Sequence, residues 1–550
     1  MANITVSTDI NSLLTAATGT PSKNALGVLG AVVKGTGDIV NADISPTAAI
    51  NVSKLSSSSA NAGLVLTSTG GTTAPTFQTV VGTSSSSIIV NAQGTDLQRG
   101  QQLLTAYAAA KLLTPNGLAL SAKNRAQVII PTGQYKVVAS FVLDTQFVDL
   151  IAQSPTSPNK RHFLTVDNLS VYPYLPDFTH FKPSATLIYC DADYITTIKQ
   201  TANDVKMHGF SVAQLSYPVD FYDSPADRYV HELDWGALLI GQNCANAPSL
   251  YTDMYFWTLL TAFTSCGGVR AYDSFSGTWI NCVSNSASFR NGFGDKVTQS
   301  AIFSAKMYDC MAGPFSFIGD YLALQSGSIA QNAIFERCTS IGYGMEGGEG
   351  KASFAGCNQT AAIIESTCSF TDCISGSQSF GIGALTSGTF IRCRAGENSF
   401  GSMYTIEPSG GGTGIFYGYA EDCIGGANSF GGNVEGGYGK LTGTLVRCTV
   451  TDNVYPLRLE GATIRDCRIT NSTTGRDGVV LLDSLSSITN SDIIVFQGGT
   501  GKPINAASAK NVVAASNRMN NATTGSATGL GANVTNLVTS ANNVVSNSIR

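Results

Sequence analysis

The chain has 550 residues, only 13% of them charged, and a formal net charge of −5. That balance gives no reason to expect nucleic acid or an anionic membrane surface as a partner, and no apolar run is long enough to span a bilayer, so no membrane insertion is expected. With 58 Gly and abundant Ser, Thr, Ala and Asn, the composition is that of a turn-rich β chain.

In chain order, residues 1–45 read as a separate small module. The opening Met1-Ala2-Asn3-Ile4-Thr5 lacks the basic and apolar regions of a signal peptide, so synthesis in a cytoplasm is expected. Residues 46–90, with Ser56 to Ser59, Gly70-Gly71 and Ser84 to Ser87, read as a linker or a thin β segment. Residues 91–118 carry one helix. Thr95 and Gln98 form a capping box, Leu97, Leu104, Tyr107, Ala108 and Lys111 fall at helical spacing, and Pro115-Asn116-Gly117 stops it. Val128 to Val137 then reads as a strand, and the β pattern continues to about residue 510 with insertions such as Asp149 to Pro183. The Asn-rich residues 511–550 read as last coils, since Asn tolerates the left-handed backbone of tight corners.

The region from 244 to 500 holds a repeat. Five cysteines are followed six and seven residues later by Ser-Phe: Cys282/Phe289, Cys310/Phe317, Cys373/Phe380, Cys393/Phe400 and Cys423/Phe430. Thirteen Cys and 25 Phe in this length give fewer than one such match by chance. Cys338, Cys448 and Cys467 sit in related segments without the Phe. The distance between motif cysteines varies while the Cys-to-Phe offset does not, so each repeat has a fixed part and a loop of variable length. No apolar period of 3.6 runs through the repeats, and short alternating runs such as Thr444 to Val450 read as strands. Roughly 20 to 30 residues per repeat suits one coil of a right-handed single-stranded parallel β-helix. Stacked at about 4.8 Å, such coils turn equivalent residues into ladders, with Cys and Phe pointing inward. Free packed thiols are expected rather than a disulfide ladder, and the scarcity of His and of paired CxxC motifs argues against zinc. No metal or cofactor is expected.

Two segments carry a resemblance. Ile44 to Leu55 followed by Gly63 to Gly71 resembles a stretch found in bacteriophage tail-fibre and tailspike proteins near the end that joins the virion. The helix followed by Ile130-Pro131-Thr132-Gly133-Gln134-Tyr135 resembles the start of pectate-lyase-like β-helices in phage tailspikes. The resemblance implies a virion tail location, attachment of residues 1–45 to other tail or baseplate proteins, a homotrimer, and host surface polysaccharide as ligand.

Candidate chemistry comes from a second alignment of the coils. Glu346, Glu365, Glu407, Glu435, Glu460 and Asp483 each follow an apolar residue and precede a turn. Strand alternation puts such carboxylates on the outer surface. Glu407, Glu435 and Glu460 are expected on consecutive coils, about 4.8 Å apart for neighbours. Neighbouring acids repel, which splits their pKa values and suits glycoside hydrolysis, one as general acid and another as base or nucleophile. Tyr404, Tyr438, Tyr455 and Arg458 are the expected sugar-binding side chains; Tyr417 and Tyr419 lie in the same coils. The alternatives stay open at this stage. The acids serve catalysis, bind sugar or a cation without cleavage, or only solvate the wall. The protein is then a depolymerising tailspike or a non-enzymatic virion fibre or adhesin. A polysaccharide lyase would need a basic proton acceptor, for which Arg392, Arg447 and Arg458 are the candidates.

Overall fold

The computed structural model describes residues 64–67, 76–79, 85–158, 160, 183–193, 195–216, 236–241, 244, 246–258, 268–272, 274–284, 288–289, 302–313, 316–317, 329–340, 363–376, 379–381, 385–401, 414–432, 439–473, 475–482, 486–495, 501–505, 512–515, 517–520, 538–539 and 544–546. It divides into two units, Met1–Val80 and Val81–Arg550. In the first, Leu64–Thr67 pairs antiparallel with Thr76–Thr79, a slender hairpin within the segment expected to be linker or thin β structure.

The second unit is a right-handed parallel β-helix. Three walls run along its axis. The first is a sheet of 16 parallel strands from Ser87–Ile89 to Val538–Thr539. The second begins as seven strands, Gly133–Lys136 to Thr339–Ser340. Single bridges Thr339↔Ile374↔Arg394↔Ile424 continue it into six more, ending at Val544–Ser546. The third has four strands from Phe141–Leu143 to Val269–Ala271, then nine from Ile302–Phe303 to Ile504–Asn505.

The coil is built from short alternating strands and two strained corners. In Thr389–Ile391 only Phe390 points inward. The run Thr444 to Val450, expected as one strand, is two: Thr444–Val446 in the first wall and Thr449–Asn453 in the second. Between them Arg447 adopts φ 50° and turns the chain. The same left-handed corner recurs in coil after coil at Gly209, Asp253, Asn281, Asp309, Arg337, Asp372, Arg392, Asp422, Arg447, Asp466 and Asn490. Each corner amide from Gly209 to Asp466 donates to the next coil, as Asp372 does to the Ile391 carbonyl at 2.9 Å and Arg392 to the Glu421 carbonyl at 2.8 Å. From Asp309 to Asp466 the corner side chains alternate in sign. Arg337, Arg392 and Arg447 each grip the aspartate of the preceding coil with two hydrogen bonds, for example Arg392 Nε to Asp372 Oδ1 at 2.6 Å and Nη2 to Oδ2 at 2.8 Å. In the earlier coils a strap lies on the corner instead. Pro155 packs on Gly209, where a β-carbon would stand 2.3 Å from the proline ring. Ser157 Oγ donates to Asp253 Oδ1 at 2.7 Å, and Lys160 donates to the Asp309 carbonyl.

The second corner is the Ser-Phe motif. Phe289, Phe317, Phe380, Phe400 and Phe430 all have φ between 54° and 62°. A left-handed L-residue costs roughly 1–2 kcal/mol. Full burial of the ring contributes about 1.5–3 kcal/mol, and stacking adds about 0.5–1.5 kcal/mol, so packing outweighs the strain. Phe400 stacks on Phe380 at 4.8 Å and on Phe430 at 4.4 Å. The serines knit the corner across coils: the Ser379 amide donates to Ser399 Oγ at 3.2 Å, and the Ser399 amide to Ser429 Oγ at 3.3 Å.

Cysteines 282, 310, 338, 373, 393, 423, 448 and 467 form the expected inward file, all buried and all free thiols. Each from Cys282 to Cys448 donates its S–H to carbonyls beside the first corner, as Cys393 does to Phe370 of the preceding coil at 3.4 Å and to Ile391 at 3.5 Å. The file ends in Ser491, whose Oγ accepts from the Cys467 amide at 3.1 Å.

The helix Asp96–Ala110 closes the first coil, with the expected capping box made by Thr95 and Gln98. Its buried face is Gly100, Leu103, Ala106, Tyr107 and Ala110. Leu97 and Ala108, expected on that face, are solvent-exposed instead. Gly100 sets the tilt: a β-carbon there would lie 1.8 Å from the Lys136 carbonyl oxygen. Arg125, bonded twice to buried Asp149 at 2.8 and 2.6 Å and to Asp204 through its carboxylate at 2.8 Å and its carbonyl at 3.4 Å, fastens the next coils.

Candidate functional site

The register of the third wall decides where outward groups stand. Its inward column runs Ile364, Thr386, Phe416, Leu441, Leu459, Leu481. The residues that follow are Glu365, Ser387, Tyr417, Thr442, Glu460 and Leu482, and each of the last five donates its amide to the coil before it, at 2.7–3.0 Å. Among the described residues the expected column of consecutive carboxylates is therefore not formed. A tyrosine, a threonine and a serine separate Glu365 from Glu460. Glu407 and Glu435 belong to segments that precede the third-wall strands Ile415–Phe416 and Lys440–Leu441. Together with Tyr404 and Tyr438 they lie outside the described residues, between Gly401 and Gly414 or between Gly432 and Gly439. Asp483 and Glu346 also lie outside them.

Three of the seven expected site residues are described. Glu460 is ion-paired with Lys440 of the preceding coil. Arg458, two residues earlier on the strand Leu457–Leu459, points outward beside Val480 and is half-buried. Tyr455 lies under the Arg476 guanidinium, 5.0 Å from ring centre to Cζ, an arrangement that holds both planar groups flat.

A second group was not singled out as a site from sequence. Tyr417 and Tyr419 flank Gly418 where the third wall turns into the first, and they are 47% and 36% exposed. The turn needs glycine, since a β-carbon on Gly418 would lie 2.4 Å from the Gly388 carbonyl oxygen. Tyr419 Oη donates to Glu421 Oε2 at 2.8 Å. Arg447 of the next coil joins Glu421 to Asp422, bonding Glu421 and meeting Asp422 at 2.7 and 2.9 Å. The hydrogen bonds from Tyr419 and then Arg447 hold the Glu421 carboxyl below its ordinary range, and Arg447 does the same for Asp422. The bond to Glu421 raises the Tyr419 hydroxyl. These acids stay ionised and the tyrosine stays protonated near neutral pH. The legible signal was the charged residue directly before each corner Cys from Cys310 to Cys467, together with two tyrosines around a glycine.

Chemically, this corner offers two exposed aromatic rings and a fixed network of donors and acceptors. Every described carboxylate whose titration is displaced is displaced downward: Asp144, Asp309, Asp372, Glu421 and Asp422. That is the opposite of what a general acid requires. Among the described residues no group of three or more His, Cys, Asp and Glu is placed to hold a metal ion. His208 lies 2.7 Å from Thr252 Oγ1 and 3.6 Å from Asp253, and Ser157 bonds the aspartate rather than the imidazole, so these three do not make a nucleophilic triad.

The walls and corners define a parallel β-helix protein with an aromatic and charged outer corner. No family model and no curated protein matches the chain. Solved structures similar to it include the DFA-IIIase of Arthrobacter chlorophenolicus A6 in complex with GF2, 11% identical, covering 82% of this chain and 97% of that one at a TM-score of 0.38. ORF18 of Geobacillus virus E2 is 9% identical over 82% of this chain and 60% of that one, at 0.15. The endo-xylogalacturonan hydrolase of Aspergillus tubingensis is 9% identical over 82% and 99%, at 0.22. Likenesses of this size carry no argument about function; the fold rests on the chain's own strand register.

Proposed function

We propose that the protein is a phage receptor-binding tailspike that binds host surface polysaccharide through the corner built on Tyr417 and Tyr419. One observation carries the reading: two exposed tyrosines in a single rigid coil, with Glu421, Asp422 and Arg447 locked in place beside them. Sugar rings stack on such faces, and preset donors and acceptors recognise hydroxyls with little ordering cost. The resemblance of residues 44–71 to tail-fibre segments supports the virion part: residues 1–45 attach to tail or baseplate proteins, and the chain works as a homotrimer. Replacing both tyrosines (Tyr417→Ala with Tyr419→Ala) should weaken binding to host envelope polysaccharide at least tenfold. Unchanged affinity with an intact fold would end the reading.

In one form of this reading the protein is an adhesin that binds without cutting. The cleaving alternative places Glu407, Glu435 and Glu460 in catalysis, with Tyr404, Tyr438, Tyr455 and Arg458 holding the sugar. It requires that wild type release oligosaccharide from host polysaccharide and that Glu435→Gln and Glu460→Gln stop the release while binding persists.

A further inference from the structure

The inward file of eight cysteines, Cys282 to Cys467, takes no part in the binding corner. It skips no coil: the Arg394 amide meets the Cys373 carbonyl and the Ile424 amide the Cys393 carbonyl, both at 2.9 Å, and the same bond recurs along the file. Buried Met254 stands at its head, its carbonyl accepting from the Val283 amide at 2.9 Å, so a thioether precedes the thiols. Two backbone amides are aimed at sulfur. The Cys393 amide donates to Cys423 Sγ at 3.4 Å and the Cys448 amide to Cys467 Sγ at 3.3 Å. Hydrogen bonds of this kind favour a thiolate. The backbone beside the file does not depend on the sulfur protons. The carbonyl two residues before each cysteine, which accepts the thiol, also accepts a corner amide, as Ile391 does from Asp372 at 2.9 Å.

We infer that the file is a binding column for cuprous ions, each held in line between the sulfurs of two consecutive coils. The step of the solenoid selects this ligand. Coils stack at about 4.8 Å. A thiolate–metal bond is about 2.3 Å long, so two in line span about 4.6 Å and fill the step without moving a coil. A direct disulfide needs β-carbons about 3.5–4.5 Å apart, less than the step provides. Soft sulfur ligands favour cuprous copper, zinc and iron–sulfur clusters. Zinc and cluster iron take four ligands, whereas each gap in the file offers two. Among the described residues no group of three or more His, Cys, Asp and Glu is placed round one ion. Cuprous copper, with its filled d shell, is complete with two thiolates. No electron moves on binding. Each ion displaces one thiol proton, which leaves to solvent, and each inner thiolate bridges two ions. Eight sulfurs enclose seven gaps. Seven ions enter, seven protons leave and the last thiol keeps its proton, so the filled column stays neutral. Neutrality matters in a dry interior, where an unpaired charge is costly. The inference is independent of the polysaccharide reading.

The test uses the full chain, produced in copper-supplemented cells so that ions enter as the coils close. It is purified without oxygen and washed with a cuprous chelator to remove loosely held metal. Copper per chain is measured by atomic absorption, and X-ray absorption at the copper edge reports the ligands. The expected result is two or more ions per chain, with the seven gaps as the ceiling, all cuprous and each between two sulfurs in line. Cys393 bounds two gaps, so Cys393→Ser should lower the content of a filled column by two ions. Cys190, buried but in the second wall and off the file, is the control, and Cys190→Ser should leave the content unchanged. Circular dichroism verifies that both variants keep the β signal, and the wild-type spectrum needs no variant. Fewer than two ions per chain, or copper held by nitrogen, oxygen or three sulfurs, would overturn the inference. So would a folded Cys393→Ser chain that keeps the wild-type content.

Discussion

The two ends of the solenoid solve the same corner differently. From Gly209 to Asp309 the first corner lies under the strap of Pro155, Thr156, Ser157 and Lys160. From Arg337 to Arg447 it is held by charge pairs between successive coils. The walls differ in the same sense. Ser211–Gln214 and Gly236–Ile240 are buried at every residue, on both faces of their sheets. Leu457–Leu459 and Asp492–Val495 alternate between buried and half-buried. A wall buried on both faces reads as a continuous apolar run, whereas a wall with one wet face alternates. The first half thus depends on individual contacts that occur once. The second half depends on the same few contacts repeated.

The strongest way to break the comparison is to put a charge on the outer face of each half. Leu239 is outward yet only 3% exposed, so Leu239→Lys should cost about 2–5 kcal/mol, the range for losing a buried leucine. Thr449 occupies an outward position in the later coils, and Thr449→Lys should stay within about 0.5 kcal/mol. Urea midpoints measured side by side decide it; equal losses would mean that the halves are built alike. A comparable effect is expected from Phe400→Ala. It removes a buried ring stacked on both sides and should cost about 3–5 kcal/mol. Because the contact recurs along one column, hydrogen exchange should rise in the coils of Phe380 and Phe430 and remain unchanged near the helix.

A smaller effect concerns acid. The Asp309, Asp372 and Asp422 carboxyls are held below their ordinary range, each chiefly by the hydrogen-bonded arginine of the following coil. Their contribution is present above the unfolded carboxyl value of about 3.9 and is lost as pH falls through the lowered native value. Thermal midpoints should therefore drop on acidification below that value, and Asp372→Asn should make the drop shallower. The pairs are exposed, so high salt should weaken the dependence. An acid limb identical in Asp372→Asn and wild type would show that the ladder does not contribute.

Part of this architecture was legible in the sequence. The constant interval from Cys to Ser-Phe joins two positions on one rigid stretch, from the first corner through the second wall to the second corner. That interval therefore revealed coils, ladders and inward thiols. The helix and its cap were legible because Thr95 and Gln98 act locally, while its buried face was misread because docking on Lys136 through Gly100 is a tertiary event. The third wall was not legible. Its strands in the regular coils, such as Ile415–Phe416 and Lys440–Leu441, have two residues, and they follow segments of different length after Gly401 and Gly432. The repeated apolar-acid-turn pattern drew attention away from Tyr417 and Thr442, the residues that follow the inward Phe416 and Leu441. The alternation of Asp and Arg before the cysteines from Cys310 to Cys467 was readable and marks the corner as surely as the Cys does.

That alternation also constrains how such a chain can change length. Coils are interchangeable modules, and losing one would ordinarily shorten the rod by one step. Here, excising the coil of Asp372 would set Arg337 against Arg392, two cations at hydrogen-bonding range with no carboxylate between them. Duplicating a single coil would create the same fault. Growth and shrinkage of this part of the rod are therefore favoured in twos, a parity rule written in charge.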